Sequence, residues 1–199
     1  MSLLKFKHNQ MVYGIIRNQK CSTTSVMSYI ARALWNADPL VQQNYGNFER
    51  NAPGVYIKKP YFSMYQNELM DCDVRIALWR DPVDKFVSGF LHTMYSPTGA
   101  QDALWQGEKT LDEFLYNFDF YIQNENVADH CQSNTARLGP DKSIYHYVFE
   151  YTQVNEISKI LGVPGKIHHR KNNLKYQLTD QQITQIKNLM KDDYINGWC

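Results

Sequence analysis

The sequence predicts an α/β fold with a central parallel sheet flanked by helices. Three observations carry this. Short β-rich runs alternate with stretches whose apolar residues recur at helical spacing. The ends of the runs hold turn and capping residues. No internal repeat, low-complexity stretch or linker divides the 199 residues, which predicts a single domain spanning 1–199. With 43% hydrophobic and 14% aromatic residues, the chain has the material for a packed core.

In chain order, MVYGII (Met11 to Ile16) has the composition of a buried strand. From Ser25 onward Val26, Met27, Ile30, Ala31 and Leu34 recur at helical spacing, predicting a helix to about Trp35. GVYI (Gly54 to Ile57) is a second strand, entered through Pro53-Gly54 and stopped by Pro60. VRIALW (Val74 to Trp79) is the clearest strand. It ends in Arg80-Asp81-Pro82, where Asp81 can cap a helix and Pro82 suits its first turn. Val83, Phe86, Val87, Phe90, Leu91 and Met94 mark one face of that helix. Residues 96–109 read as loop, and Thr110 with Glu113 has the capping-box spacing of a new helix start. SIYHYVFEY (Ser143 to Tyr151) reads as a strand, followed by a helix that Gly162 and Pro164 stop. A last helix spans roughly Thr179 to Tyr194, with Thr179 and Gln182 as another capping box.

Composition narrows the function. A net charge of +1 argues against a nucleic-acid binder relying on bulk electrostatics. The first residues carry charged and polar side chains where a secretory signal needs a continuous apolar stretch, and no apolar run is long enough to span a membrane. Cys21, Cys72, Cys131 and Cys199 lack CxxC or finger-like spacing and read as free thiols of a reducing compartment. A cytoplasmic protein without a membrane anchor is expected.

Two stretches carry chemistry. In RNQKCSTTSV, Lys20 precedes Cys21, Ser22, Thr23, Thr24 and Ser25 at a strand-to-helix corner. A helix N-terminus presents unpaired N–H groups and a partial positive charge, and hydroxyls with one lysine would complete a phosphate cradle. The plainer alternative is a capped helix beside an exposed lysine. A Walker A loop is ruled out, since no glycine precedes the lysine in the required pattern. In ALWRDPVDKFVSGF, Arg80 ends a strand and Ser88 lies two turns into the next helix, so both could reach a second phosphate. Here the alternative is a local ion pair of Arg80 with Asp81 at a helix start.

Together these stretches resemble the sulfotransferases that use 3′-phosphoadenylyl sulfate (PAPS). In that superfamily a K-x-G-T-T-S-like loop holds the 5′-phosphosulfate and an R-D-P-x(5)-S segment holds the 3′-phosphate. Lys20 to Ser25 is similar to the first, and Arg80-Asp81-Pro82 with Ser88, 60 residues after Lys20, to the second. ADHCQSNTARLG, SIYHYVFEYTQVNEISKILG, HHRKNN and IKNLMKDDYINGW follow in the order of motifs of the carbohydrate sulfotransferase-like branch. Departures are Ser22 where glycine is frequent, Gln19 for the usual proline, and the missing proline of HCQSN. The stretch YIKKPYF also lacks the histidine that cytosolic sulfotransferases carry nearby.

The resemblance implies a three-layer P-loop-like fold and metal-free, in-line sulfuryl transfer from PAPS to an acceptor hydroxyl, foremost of a carbohydrate. Adenosine 3′,5′-bisphosphate is the product. It assigns Lys20 to the leaving phosphate oxygen, Cys21 to Ser25 to the 5′-phosphate, and Arg80 with Ser88 to the 3′-phosphate. His130 is the first candidate for the general base and His92, one turn beyond Ser88, the second. Packed or surface histidines are the alternative for both. Glu49, Glu68, Lys58, Lys59 and the His168-His169-Arg170-Lys171 cluster are weaker candidates. A P-loop-like kinase and a non-catalytic nucleotide-binding relative are the competing functions.

Overall fold

A computed structural model describes residues 3–16, 18, 20–35, 56–57, 61–95, 110–165 and 176–199. The chain forms two compact units, each discontinuous in sequence. One gathers Met1–Trp79 and Arg137–Lys171, the other Arg80–Ala136 and Asn172–Cys199.

The first unit is α/β. Its strands are β1 (Leu3–His8), β2 (Met11–Ile16), β3 (Tyr56–Ile57), β4 (Val74–Trp79) and β5 (Tyr147–Glu150), in the order β3-β1-β2-β4-β5. β2, β4 and β5 run parallel, with Ile15 opposite Ile76 and Ile76 opposite Tyr147. β1 is antiparallel to both β2 and β3, so the sheet is mixed. This corrects the all-parallel expectation, which overlooked LLKFKH as a strand. Its signal was present: Leu4 and Phe6 are buried while Lys7 is exposed. The turn, however, is Asn9-Gln10 at φ +48° and +68°, a left-handed pair that hairpins usually build from Asn-Gly.

One sheet face places Leu4, Phe6, Tyr13, Ile15, Val74, Ile76 and Leu78 in a common core. Helix α1 (Thr23–Trp35) contributes Val26, Met27 and Ile30 to it, and the later helix Asn155–Ile160 contributes Ile157. On the other face a Cβ at Gly14 would lie 2.8 Å from Cys72 Sγ and 3.0 Å from Leu69 of α2 (Gln66–Met70), so the strand needs glycine there. The predicted nine-residue strand at Ser143 to Tyr151 shrinks to β5. Asp141 caps a 3-10 turn over Lys142–Ile144, and Glu150 with Gln153 forms a capping box on the 3-10 turn Tyr151–Gln153. These side-chain bonds take up backbone groups that a longer ladder would need.

The second unit is helical among the described residues: α3 (Pro82–Tyr95), α4 (Leu111–Tyr116), α5 (Phe118–Tyr121), α6 (Glu125–Cys131) and the start of α7 (Asn134–Leu138). Numbering Asn155–Ile160 of the first unit α8, it ends with α9 (Asp180–Leu189) and α10 (Lys191–Ile195). Phe86, Phe90, Phe114, Phe118, Val127 and Ile186 form its core. Thr110 caps α4 as expected, accepting from the Glu113 N–H, and Thr179 with Gln182 forms the expected capping box. The single C-terminal helix expected to reach Tyr194 is broken at Met190, which leaves helical geometry at φ −100°, ψ 19°. The loop expected at 96–109, and Gly54 and Val55 of the second predicted strand, lie outside the described residues.

α3 and α6 approach closely at Gly89, where a Cβ would lie 2.4 Å from the backbone oxygen of His130 and 2.8 Å from Cys131 Sγ. Backbone cannot yield as a flexible side chain would. Gly89→Ala is therefore expected to cost about 2–3 kcal/mol, read as a lower urea midpoint at unchanged slope.

All four cysteines are free, and no helix among the described residues is long and apolar enough to cross a membrane.

Candidate functional site

In the first unit, the corner after β2 turns on Asn18. Its side chain is buried and donates from Nδ2 to the Leu78 carbonyl of β4 at 3.1 Å. Its own carbonyl accepts from the Cys21 N–H at 3.2 Å and the Thr23 hydroxyl at 3.3 Å. One buried amide thus ties the corner to the carboxyl end of the neighbouring parallel strand.

The corner is built on unusual backbone. Lys20 has φ +62° and Ser22 φ +56°, both left-handed and costing on the order of 1 kcal/mol each without glycine. Ser22 thus holds a backbone conformation that glycine adopts without steric cost. The Ser22 carbonyl accepts from the N–H groups of Ser25 at 2.9 Å and Val26 at 3.2 Å, and its hydroxyl donates to the Tyr151 carbonyl at 3.2 Å.

The six residues divide accordingly. Cys21 and Ser25 are buried and use their N–H groups inside the corner. The N–H groups of Ser22, Thr23 and Thr24 meet no acceptor among the described residues, and Thr24 is exposed. A left-handed residue running into a helix start turns successive N–H groups toward one point, a concavity suited to an anion.

In the second unit, Arg80 stands just before α3. Asp81 caps the helix as expected, its Oδ1 accepting from the Asp84 N–H at 3.0 Å. Arg80 Nη2 lies 4.0 Å from Asp84 Oδ2, an ion pair one turn beyond Asp81, the partner named in the alternative reading. Arg80, Asp84, Ser88 and His92 follow one another at four-residue spacing, one ridge up the helix. Ser88 is half-buried, and its hydroxyl makes no hydrogen bond among the described residues.

The structure brings the two candidate bases together. The rings of His92 on α3 and His130 on α6 have centroids 4.3 Å apart at 32°. The close approach at Gly89, one turn before His92, permits this packing. His130 Nδ1 lies 2.8 Å from the Asn126 carbonyl. A carbonyl only accepts, so in the neutral ring the proton sits on Nδ1 and Nε2 is the basic nitrogen.

Behind Arg80 lies a buried polar cluster that sequence reasoning did not single out. Asn134 is fully buried and donates from Nδ2 to the Arg80 carbonyl at 2.9 Å and the Trp198 carbonyl at 3.3 Å. Asp193, also fully buried, accepts from the N–H groups of Asn134 at 2.8 Å and Thr135 at 2.6 Å. Lys85, 2% exposed, donates to the Gln132 carbonyl at 2.7 Å and is a charged neighbour of Asp193. Burial pushes the Asp193 carboxyl above its ordinary value, while the N–H groups and Lys85 pull the other way. The available signal was the pair of acids in KDDYINGW, a run otherwise ending in buried aromatic surface.

Glu68 is half-buried on α2, its carbonyl accepting from the Cys72 thiol at 3.3 Å. Glu49, Lys58, Lys59 and His168 to Lys171 lie outside the described residues. No group of three or more potential metal ligands occurs among the described residues. No known family model, curated protein or solved structure matches the chain.

Proposed function

We propose that the protein is a cytoplasmic PAPS-dependent sulfotransferase of three-layer P-loop-like fold, acting on a hydroxyl acceptor, foremost of a carbohydrate. The observation carrying this reading is the corner after β2. Lys20 and Ser22 hold strained left-handed backbone there, and the Ser22, Thr23 and Thr24 N–H groups lack acceptors among the described residues. A simple helix cap needs neither feature. The half-buried Arg80 and Ser88, one cation and one hydroxyl on a single helix ridge, support a second phosphate contact.

In the proposed reaction the acceptor oxygen attacks the sulfur of PAPS, and the bond from sulfur to the bridging phosphate oxygen breaks. The electron pair leaves with adenosine 3′,5′-bisphosphate. His130 Nε2 takes the acceptor's proton, with His92 the other candidate for that role. Lys20 neutralises charge on the departing oxygen, the corner's N–H groups hold the 5′-phosphate, and Arg80 with Ser88 recognises the 3′-phosphate. The reading calls for no metal, because these donors take up the developing charge.

Calorimetric titration tests it. Adenosine 3′,5′-bisphosphate is expected to bind without metal at least 10-fold more tightly than 5′-AMP or ATP. Arg80→Ala should erase that preference, since a charge-assisted bond is worth about 1.5–3 kcal/mol. Equal or absent binding of the bisphosphate would sink the reading and return both stretches to helix caps. Preferential binding of ATP with magnesium would favour a kinase instead. Bisphosphate binding with no turnover on any hydroxyl acceptor would mark a non-catalytic nucleotide binder.

A further inference from the structure

We infer that the Ser22 hydroxyl is a positioning group. Its bond to the Tyr151 carbonyl replaces the backbone freedom of a glycine and keeps the Ser22, Thr23 and Thr24 N–H groups aimed at a 5′-phosphate; the inference rests on the sulfotransferase reading.

Ser22 stands at the N-cap of α1, directly before Thr23. A serine there ordinarily has extended backbone and turns its hydroxyl oxygen inward, accepting from the N–H two or three residues on. Ser22 does neither. Its φ is +56°, and its hydroxyl donates outward to the Tyr151 carbonyl at 3.2 Å. The Ser25 N–H, which an inward hydroxyl would take, goes instead to the Ser22 carbonyl at 2.9 Å. The side chain that would fill the helix start as a cap is thus drawn away from it.

The acceptor is anchored. Tyr151 opens the 3-10 turn that the Glu150–Gln153 capping box closes, and Val154 just beyond it is fully buried in the sheet core. The Tyr151 ring packs against the same core. The hydroxyl therefore latches the corner to a fixed point of its own unit.

Magnitudes give the latch its importance. Left-handed backbone at a residue with a Cβ costs about as much as one hydrogen bond contributes. Without the hydroxyl the cost remains and the compensation is lost. The backbone then falls back toward an ordinary cap, and the three N–H groups no longer converge. Glycine carries no such cost and reaches the left-handed form without a latch.

The readout is the dissociation constant of adenosine 3′-monophosphate divided by that of adenosine 3′,5′-bisphosphate, which isolates the contribution of the 5′-phosphate. Ser22→Ala is expected to lower this ratio about 5-fold, the size of one such bond. Affinity for the 3′-monophosphate should stay within about 2-fold. Ser22→Gly loses the same hydroxyl yet should recover most of the lost ratio, a rescue that a direct phosphate ligand would not show. If the alanine variant does not fold, Ser22→Cys carries the test with a fall of about 3-fold or more, because a thiol is a weak donor. A wild-type ratio in Ser22→Ala, or in Ser22→Cys where the alanine variant does not fold, overturns the inference alone. An equal fall in Ser22→Gly also overturns it, since the hydroxyl would then act on the phosphate itself. A wild-type protein that binds the two nucleotides equally overturns both this inference and the functional reading.

Discussion

Asp193→Asn is expected to lower the unfolding free energy by about 3 kcal/mol, the upper scale for leaving a buried polar group without its partner. The Asp193 carboxylate accepts from two backbone N–H groups, of Asn134 and Thr135, on separate oxygens. An asparagine can offer an oxygen to one of them and must turn its NH2 toward the other, leaving a buried donor facing a donor. Lys85, 2% exposed, loses its nearby negative charge at the same time. For a chain of 199 residues the loss corresponds to a fall in Tm on the order of 10 °C. A midpoint within a degree of wild type would show that the cluster is not a net source of stability.

The same residue yields a pH prediction with a definite sign. Burial raises the folded carboxyl of Asp193 above its unfolded value of about 3.9. Between the two values the folded chain binds more protons than the unfolded one. Stability through this group therefore falls as pH rises across that window and is fully present below it. Removing the carboxyl in Asp193→Asn should make the slope of stability against pH in that range more positive, measured by urea unfolding at several pH values. An unchanged slope would contradict the raised value.

The second large effect tests the proposed sulfuryl transfer. Lys20→Ala is expected to reduce release of adenosine 3′,5′-bisphosphate from PAPS about 10²–10³-fold, the usual scale for one donor aimed at developing charge. Affinity for the bisphosphate should fall much less, because the lysine addresses an oxygen whose charge grows only as the bond to sulfur breaks. Lys20→Gly separates chemistry from folding. Glycine suits φ +62°, so that variant should be at least as stable as wild type yet equally slow. Wild-type turnover in either variant would show that Lys20 takes no part in the chemistry and that the corner is a capped helix start.

How far these features were legible in sequence depends on the distance over which they are encoded. The helix starting at Thr110, the capping box at Thr179 and Gln182, and the Asp81 cap before Pro82 were all readable, because each lies within four residues. β4 was readable because six apolar-rich residues end in a cap. The short strand β5 was over-read, since Asp141 and Glu150 offered the backbone local bonds that composition does not reveal. β1 was missed although LLKFKH alternates, because its hairpin turn is Asn9-Gln10 and carries no Asn-Gly signature.

The candidate chemistry divides along the same line. By itself the sequence determined the hydroxyl-rich corner after Lys20, the Arg80–Ser88 ridge and the two histidines, since local spacing and residue type are written in the chain. Only the tertiary structure decided that Asn18 ties the corner to β4 and that Ser22 adopts a left-handed backbone. It likewise decided that the His92 ring packs against His130 and that Asn134 and Asp193 stand behind Arg80. His130 lies 38 residues from His92, and Asp193 lies 59 from Asn134. Such pairs form only when packing of the apolar faces brings distant segments within hydrogen-bond reach, where the cost of leaving a buried polar group unpaired selects its partner.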